Sequence, residues 1–389
     1  MIHQVLRTIE FVAATATILS IAYYLVCLWS AAGFVRDSAA ARTRALATHA
    51  YQPASILKPL KNTDPEMYEC FRSHCMQEYS AYEIIFGVSE SDDPAVELVE
   101  RLKGEFPERD IRLVYCSKNL GSNVKVSNLV QMLPYARYEY IIVNDSDIRV
   151  PQDYLRSVLA PLRDPEIGLV TCPYRGISNS SLGSKLESLG ISTDFFPGVM
   201  VARIIEGIKF GLGSTLAFRR RELDAMGGFA AIVDYLADDY EIGRRIAAFG
   251  MNIELSDAIV DSLLPRYSMK GFFHHQLRWA RTVRNVRPWG YFGMVITFGL
   301  PWAVLALVLA WGATWAWALF TITAVLRLGV AAYVRNKVLR EANTGLLWLL
   351  PVRDLLALCV WVISLTGDTV IWRGTTYRLK QGKLAKMVP

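Results

Sequence analysis

The feature that most constrains this chain is an uncharged apolar stretch near its start, Phe11–Phe34 (FVAATATILSIAYYLVCLWSAAGF). About 20 consecutive apolar residues in a helix cross the ~30 Å hydrocarbon core of a bilayer, so this stretch is predicted to span a membrane. It lacks the short apolar region and the small-residue cleavage site of a secretory signal. We therefore interpret residues 1–40 as a retained N-terminal membrane anchor, with a cleaved signal as the alternative.

Three further apolar blocks predict C-terminal membrane helices over residues 291–372. The last block contains Pro351, Arg353 and Asp354, so a spanning segment is expected to begin near Leu355. A basic tail, residues 373–389, conflicts with a single final crossing, because the positive-inside rule would keep it in the cytoplasm. Either the last block is re-entrant, or the charge of the tail does not decide on which side it lies. The blocks are Phe292–Trp311, Trp315–Val334 and Leu346–Trp372.

Basic residues gather where the apolar stretches meet the central part of the chain, which places that part in the cytoplasm by the positive-inside rule. The net charge of +6 lies largely in these juxtamembrane segments, which indicates contact with a lipid bilayer. The sequence contains no aromatic-interleaved basic motif of an RNA- or DNA-binding module, so no nucleic-acid partner is expected. The six cysteines form no CxxC pair and are expected to be reduced. The basic residues are Arg36, Arg42, Arg44, Arg278, Arg281, Arg284, Arg287, Arg335, Lys337 and Arg340.

Residues 50–288 alternate between β-branched apolar runs and helical patterns, which predicts an α/β domain with a mostly parallel sheet flanked by helices. One region departs from this pattern. Residues 182–210 carry a long apolar surface that is too interrupted for a clean spanning helix, so we expect an interfacial segment at the entrance for a lipid, with ordinary core helices as the alternative. The predicted strands are Ala54–Leu57, Tyr82–Val88, Ile111–Tyr115, Ile141–Val143 and Ile167–Cys172.

The fourth predicted strand runs directly into Asn144-Asp145-Ser146-Asp147. Ligands of parallel α/β sheets bind where strands end, and hard carboxylate oxygens suit Mg²⁺ or Mn²⁺. Asp145 and Asp147 are therefore candidate ligands for a divalent cation held against a diphosphate. The alternative for these two residues alone is an Asp-rich turn.

Other polar residues stand at comparable ends of strands and helices. Lys125, in the first turn of a predicted helix, could contact a nucleotide or be a solvated surface lysine. Gly211 and Gly213 allow close approach of the backbone to a sugar or form a plain turn. One of Asp238 and Asp239 can cap a helix over Tyr240–Phe249, which leaves the other as a candidate general base.

Seven motifs in this order resemble the ceramide glucosyltransferase-like family 21 of membrane glycosyltransferases, which includes hopanoid-biosynthesis glycosyltransferases. The resemblance implies a GT-A fold, a UDP-sugar donor and a cytoplasmic catalytic domain in an integral membrane protein, here of a bacterial inner membrane. The motifs are LKPLK (57–61), DDP (92–94), KVSNL (125–129), NDSDIRV (144–150), ADDYEIGRR (237–245), QLRW (276–279) and WRGTTYRL (372–379).

The resemblance also implies roles for individual residues. Asp239 matches the catalytic base of the family, and Asp145 with Asp147 matches the metal-binding pair. The nucleotide-sugar is expected to contact Glu90, Asp93, Lys125, Asp145 and Asp238. The family box of Gln or Arg, two residues, Arg and Trp falls on His275, Gln276, Arg278 and Trp279, where His275 replaces the usual Gln or Arg. Members that act on ceramide often have Asp-Ser-Gly at the metal position, so the full pair here predicts stronger metal dependence.

Together these observations predict inverting transfer of a hexose from UDP-glucose or UDP-N-acetylglucosamine to the hydroxyl of a membrane lipid, ceramide-like or hopanoid. Direct displacement needs a base for the acceptor hydroxyl and a cation for the leaving diphosphate. A processive polysaccharide synthase and a catalytically idle lipid-binding protein are the alternatives. The oligomeric state is left open.

Overall fold

The computed structural model describes residues 1–46, 52–64, 66–341, 345–372 and 375–386. The start of the predicted catalytic domain at residues 50–51, Arg373 and Gly374 of the WRGTTYRL motif, and the last three residues of the basic tail lie outside the described residues. The helices are α1 (Ile2–Leu46), α2 (Met67–Cys75), α3 (Ala95–Glu105), α4 (Val124–Met132), α5 (Tyr154–Leu159), α6 (Leu182–Gly190), α7 (Phe196–Ile205), α8 (Arg220–Ala225), α9 (Asp238–Ala248), α10 (Met269–Val286), α11 (Pro288–Gly293), α12 (Gly299–Leu309), α13 (Thr314–Tyr333) and α14 (Leu350–Ser364). The strands are β1 (Ala54–Pro59), β2 (Tyr82–Val88), β3 (Asp110–Tyr115), β4 (Tyr140–Val143), β5 (Ile148–Arg149), β6 (Ile167–Thr171), β7 (Tyr174–Ile177), β8 (Leu216–Arg219), β9 (Asn252–Leu255), β10 (Val260–Leu263), β11 (Thr369–Trp372), β12 (Thr375–Lys380) and β13 (Lys383–Lys386).

The chain divides into two compact units. The sheet unit consists of residues 37–178, 206–265 and 382–389, and the helical unit consists of residues 1–36, 179–205 and 266–381. Each unit is therefore built from segments that are distant in the sequence.

The sheet unit contains a seven-stranded sheet in the order β3-β2-β1-β4-β8-β6-β9. Strands β3, β2, β1 and β4 pair with one another in parallel, β6 pairs in parallel with β9, and β8 is inserted antiparallel between β4 and β6. The prediction of a mostly parallel α/β sheet is confirmed. β1 and β2 are buried along their whole length, including the polar residues Ser55, Lys58 and Glu83, as expected for strands covered on both faces of a sheet.

The carboxyl ends of the central strands bring the motifs of the sheet unit together. Leu57 near the end of β1 and Leu216 of β8 both lie opposite Val143, the last residue of β4. A second, three-stranded sheet in the order β5-β10-β7 follows the acidic stretch that β4 delivers. No apolar run in the sequence predicts this small sheet, because its strands are two to four residues long.

The helical unit carries the apolar segments. Among the described residues, four helices are long and apolar enough to cross a membrane, and one bent helix pair would make a fifth. The block predicted over Phe292–Trp311 is the bent pair, with an angle of 52° between its two halves. The four helices are Ile2–Ala40, Leu182–Ile205, Thr314–Val338 and Leu347–Ser364.

The last apolar block differs from its prediction at both ends. Its helix begins at Leu350 and not near Leu355, and Pro351 lies in the first turn, where proline is tolerated. Arg353 and Asp354 are accommodated inside the helix because both form buried ion pairs. Beyond Ser364 the block leaves the helix, and Thr369–Trp372 forms β11, which pairs antiparallel with β12.

The segment after Ser181 forms one continuous helix from Leu182 to Ile205, so the interruption expected from its sequence is wrong. A π-turn over Ile191–Phe195 joins α6 to α7 without breaking the helix. Ser181 begins the helix by accepting a hydrogen bond from the Ser184 N–H (3.3 Å). The location of this helix at a membrane interface stays a prediction.

Candidate active site

The acidic stretch after β4 is a loop anchored by a fully buried asparagine. Asn144 donates through Nδ2 to the Tyr154 hydroxyl (2.9 Å) and to the Ser214 carbonyl (2.7 Å). Its own N–H donates to the Leu57 carbonyl and continues the ladder of the sheet (3.3 Å). The residue that follows, Asp145, is therefore presented from a fixed backbone at the edge of the sheet.

A buried lysine supports this loop from β1. Lys58 is fully buried, and its Nζ donates to the main-chain carbonyl of Asp145 (3.0 Å). Burial lowers the pKa of Lys58 to about 8, while the neighbouring Asp147 and Asp145 oppose this shift. The LKPLK motif thus places a cation directly beneath the acidic pair.

The second carboxylate of the pair is held by other parts of the chain. Asp147 Oδ2 accepts a hydrogen bond from the Ser262 hydroxyl on β10 (2.8 Å). Beside it, the Ser146 hydroxyl donates to Asp64 Oδ2 (2.7 Å). Burial, and then repulsion by Asp145, raises the pKa of Asp147 to about 6. The carboxylates of Asp147, Asp145 and Asp64 therefore lie close enough to repel one another.

Lys125 joins two of the acidic motifs. Its Nζ lies 2.7 Å from Asp145 Oδ1 and 2.9 Å from Asp238 Oδ2. Burial alone would lower the pKa of Lys125, but these two carboxylates outweigh it and raise the pKa above its ordinary value. Asn123 positions the lysine by capping α4, since its side chain accepts from the Val126 N–H (3.2 Å). Lys125 is thus part of the acidic site and not a solvated surface lysine.

The third acidic motif opens α9, two residues earlier than predicted. Asp238 and Asp239 both lie within the first turn, so the expectation that one of them caps a helix over Tyr240–Phe249 is wrong. Asp238 is instead bound by Lys125, and Asp239 Oδ1 accepts from the Tyr240 N–H (2.8 Å). Burial, and then repulsion by Asp238, raises the pKa of Asp239 to about 6.

Gly213 lies beside a space that is shared by Asp145, a candidate metal ligand, and Asp239, the candidate base. A Cβ at Gly213 would lie 3.1 Å from Asp145 Oδ2 and 3.3 Å from Asp239 Oδ2. Both carboxylates therefore face the same small volume, which a side chain at this position would fill. Gly211, whose N–H donates to the Asp239 carbonyl (3.2 Å), lies beside it. The Gly-rich turn thus borders the acidic site.

Glu90 and Asp93 are not joined to this group by any contact that the structure gives. Asp93 Oδ1 accepts from the Ala95 N–H and Oδ2 from the Asn62 N–H, both at 2.9 Å. Glu90 is exposed, and in the described part of the chain its side chain forms no hydrogen bond or ion pair. Asp93 therefore links the loop after β1 to the start of α3.

The predicted box belongs to the helical unit, on α10. Gln276 Nε2 donates to Glu187 Oε2 (2.6 Å), and His275 Nδ1 lies 3.4 Å from Glu187 Oε1. The Trp279 ring lies 5.2 Å from the His275 ring and 6.0 Å from the Phe195 ring. Arg278 is half-buried on the same helix.

Several residues of these two sites escaped sequence reasoning. Lys58 and Asp64 stand in or beside a motif, but nothing in their spacing shows that they reach the acidic loop. Ser262 lies on a strand too short to predict. Glu187 sits in an apolar stretch, and its isolation there is the one signal that could have identified it.

The fold has a counterpart among solved structures. The mannosyltransferase PcManGT from Pyrobaculum calidifontis, determined with GDP-Man and Mn²⁺, superposes with a TM-score of 0.50 at 19% identity, over 90% of this chain and 97% of that one. The mostly parallel sheet, with acidic motifs at its carboxyl edge, is of the GT-A type.

The family follows from the sequence. Residues 12–385 match the model of glycosyl transferase family 21, so the chain belongs to that family. Ceramide glucosyltransferase 3 of Caenorhabditis elegans is 26% identical over 228 residues, 58% of this chain and 50% of that protein. Ceramide glucosyltransferase 1 of the same organism is 20% identical over 340 residues, 84% of this chain and 72% of that protein. The chain thus spans about half the length of the first of these relatives.

Proposed function

We propose that this protein transfers a hexose, with inversion, from UDP-glucose or UDP-N-acetylglucosamine to the hydroxyl of a membrane lipid that is ceramide-like or a hopanoid. One observation carries the proposal. Asp145 and Asp239 face the same space beside Gly213, with Lys125 and Asp238 at its border. Asp145 contacts Lys125 and Asp239 accepts a hydrogen bond from the main chain, so one carboxylate can bind a metal while the other acts as a base in the same reaction.

Asp239 is the proposed base. It takes the proton of the acceptor hydroxyl while the acceptor oxygen forms its bond to the anomeric carbon and the bond to UDP breaks. A single displacement inverts the anomeric centre, so a UDP-α-sugar gives a β-glycoside. The raised pKa of Asp239 suits a base that operates near neutral pH, because its conjugate acid is not far from that range.

Asp145 and Asp147 are the proposed ligands of Mg²⁺ or Mn²⁺, and their surroundings fit such an ion. The repulsion that raises the pKa of Asp147 would be relieved by a cation. Among the described residues, no three His, Cys, Asp or Glu side chains form a ready metal site. This agrees with a metal bound by one or two carboxylates and completed by substrate phosphates. When bound, the ion neutralises charge on the leaving diphosphate.

The remaining predicted residues are proposed to hold the donor and the acceptor. Lys125 and Asp238 lie at the border of the space beside Gly213, with Glu90 and Asp93 on neighbouring loops for the nucleotide. The box of His275, Gln276, Arg278 and Trp279 is assigned to the diphosphate and acceptor, because the guanidinium fork of arginine suits phosphate oxygens. The proposed location is a bacterial inner membrane with the sheet unit in the cytoplasm.

Identification of the lipid product tests this function. Membranes that contain the protein are incubated with labelled UDP-glucose or UDP-N-acetylglucosamine, and extracted lipids are identified by mass. We expect one labelled glycolipid whose formation stops with a chelator and returns with Mn²⁺ or Mg²⁺. A labelled polymer would indicate a polysaccharide synthase, and the absence of any product with either donor and added lipid would contradict the proposal.

A further inference from the structure

The helical unit buries a connected group of charged and polar side chains among its apolar helices. We call this group the polar cluster. Glu187 is 1% exposed, Arg327 and Asp354 are 3% exposed and Arg353 is 6% exposed. Ionisable residues inside helices of this kind are costly and usually serve a function. The members of the polar cluster are Glu187, Asp194, Gln276, Arg327, Arg353 and Asp354.

In one half of the polar cluster, every nitrogen of the Arg327 guanidinium has a partner. The Arg327 guanidinium contacts Asp354 through Nη2 (2.5 Å) and Nε (3.0 Å), and its Nη2 also contacts Asp194 Oδ1 (2.6 Å). Its Nη1 donates to the Thr193 carbonyl (2.6 Å). Thr193 and Asp194 both lie in the π-turn of the helix Leu182–Ile205, and π-turns are frequent at functional sites.

The other half reaches the box helix α10. Arg353 Nη2 lies 3.1 Å from Asp194 Oδ2 and donates to Gln276 Oε1 (2.9 Å). Gln276 in turn contacts Glu187, because its Nε2 donates to Glu187 Oε2 (2.6 Å). The amide of Gln276 is therefore held from both sides by buried charged residues.

This second half is incomplete. Among the described residues, Nε and Nη1 of Arg353 and Nδ1 of His275 are buried without a hydrogen-bond partner. A buried donor without an acceptor is less stable than the same donor in water, so oxygen atoms of another molecule would be favoured here. The guanidinium lies against bare backbone, because a Cβ at Gly190 would come within 2.4 Å of Arg353 Nη2.

Aromatic rings line the same part of the unit. The His275 ring stacks on Tyr267 at 5.3 Å and lies 5.2 Å from Trp279, which in turn lies 6.0 Å from Phe195. Apolar and aromatic walls with a few convergent polar groups are typical of sites that bind small molecules.

The charge of the polar cluster selects among possible ligands. The polar cluster contains three carboxylates, Glu187, Asp194 and Asp354, and two guanidinium groups, Arg327 and Arg353, so its members carry one excess negative charge. A phosphate would add to this excess at low dielectric, whereas a hydroxyl or amide oxygen would accept the free N–H groups without adding charge. An uncharged, oxygen-bearing ligand is therefore favoured over an anionic one.

We propose that the polar cluster binds the uncharged polar head of the lipid acceptor, with Arg353 donating to its oxygens and Glu187 accepting from its hydroxyl or amide hydrogens. This inference rests on the proposed function, in which the acceptor is a membrane lipid.

Direct binding of two lipid probes tests the inference. The probes are a fluorescent short-chain ceramide and a hopanoid tetrol, and ceramide 1-phosphate of the same chain length serves as the anionic counterpart. The full chain in nanodiscs is expected to bind at least one uncharged probe at least tenfold more tightly than the phosphate. In Arg353→Gln, the affinity for the uncharged probe should fall at least tenfold while UDP binding is retained.

Two further variants keep the test decisive. Glu187→Gln preserves an acceptor for Gln276 but removes the excess charge, so discrimination against the phosphate should shrink severalfold even if Arg353→Gln does not fold. Lys185→Gln, on the same helix and without an ion pair among the described residues, should behave like the unmodified chain.

The outcomes separate this inference from the proposed function. Three results would overturn the polar cluster as the acceptor site. The first is an Arg353→Gln variant that binds UDP and keeps its affinity for the uncharged probe. The others are unchanged discrimination in Glu187→Gln and failure of both uncharged probes to bind the unmodified chain. The proposed function itself would survive those results if glycolipid is still made, and it would fail separately if the unmodified chain makes none.

Discussion

The carboxylates of the acidic site differ in what supports them, and this suggests their division of labour. Asp145 is tied to Lys125 and, through its carbonyl, to Lys58, whereas Asp239 receives one hydrogen bond from the main chain. A residue that must take up and release a proton cannot be held by a strong cation, because the cation would stabilise its ionised form. Asp239 is therefore better suited than Asp145 to act as a base.

The pKa of Asp239 gives a prediction for pH dependence. Because its pKa is raised to about 6, the residue is increasingly protonated below that pH, and kcat/KM is expected to fall there. Above pH 6, Asp239→Asn should lower kcat/KM by about 10²–10⁴-fold, the usual contribution of general acid–base catalysis, while UDP binding persists. Full activity in this variant would remove Asp239 from the mechanism.

The raised pKa of Asp239 also affects the stability of the fold, which provides a control for the Asp239→Asn variant. A carboxyl group whose folded pKa lies above its ordinary value of 3.8 stabilises the fold below about pH 4 and loses that contribution as the pH rises through about 6. Asp239→Asn removes a buried charge at pH 7.5, so its thermal midpoint there should be no lower than that of the unmodified chain.

At the scale of elements, the position of α9 depends on one glycine. A Cβ at Gly243 would come within 2.5 Å of the main chain of Phe210 and Gly211, so the helix lies directly on the Gly-rich turn. A side chain at this point must push the start of α9, and with it Asp238 and Asp239, away from Gly213.

Gly243→Ala is therefore expected to destabilise the fold by about 1–3 kcal/mol, the usual range for overpacking, and to lower kcat/KM at least tenfold. Gly104→Ala in α3 is the matched control, because a Cβ there meets nothing within 4 Å. Thermal melts and donor kinetics of both variants provide the measurement. Equal behaviour of the two would show that α9 is not positioned by this contact.

Strands with apolar runs were predictable from the sequence, and the shortest strands were not. The strands at Tyr82–Val88 and up to Val143 match their predictions because β-branched runs end at polar residues. The small sheet β5-β10-β7 escaped because its strands are too short to show a period. Arg353 and Asp354 were read as an interruption of a helix because their partners, Arg327 and Asp194, lie far away in the sequence.

At the scale of the whole molecule, the units alternate along the chain, so the sheet unit is connected to apolar helices at several points. By the positive-inside rule, the basic residues at these connections predict that the sheet unit lies on the cytoplasmic side. Protease added to inverted membrane vesicles should cleave the sheet unit, and protease added to intact spheroplasts should not. Cytoplasmic and periplasmic marker proteins control for the orientation, and cleavage in spheroplasts alone would reverse the assignment.

The contact between Lys125, Asp145 and Asp238 also bears on how the enzyme matures. Many metalloproteins fold only once their metal has arrived, since the ligands repel one another without it. Here an ammonium group already bridges two of the acidic motifs. We therefore expect the newly made chain to reach its native state without cofactor or nucleotide, so that loading with metal becomes a step of the catalytic cycle and not of biosynthesis.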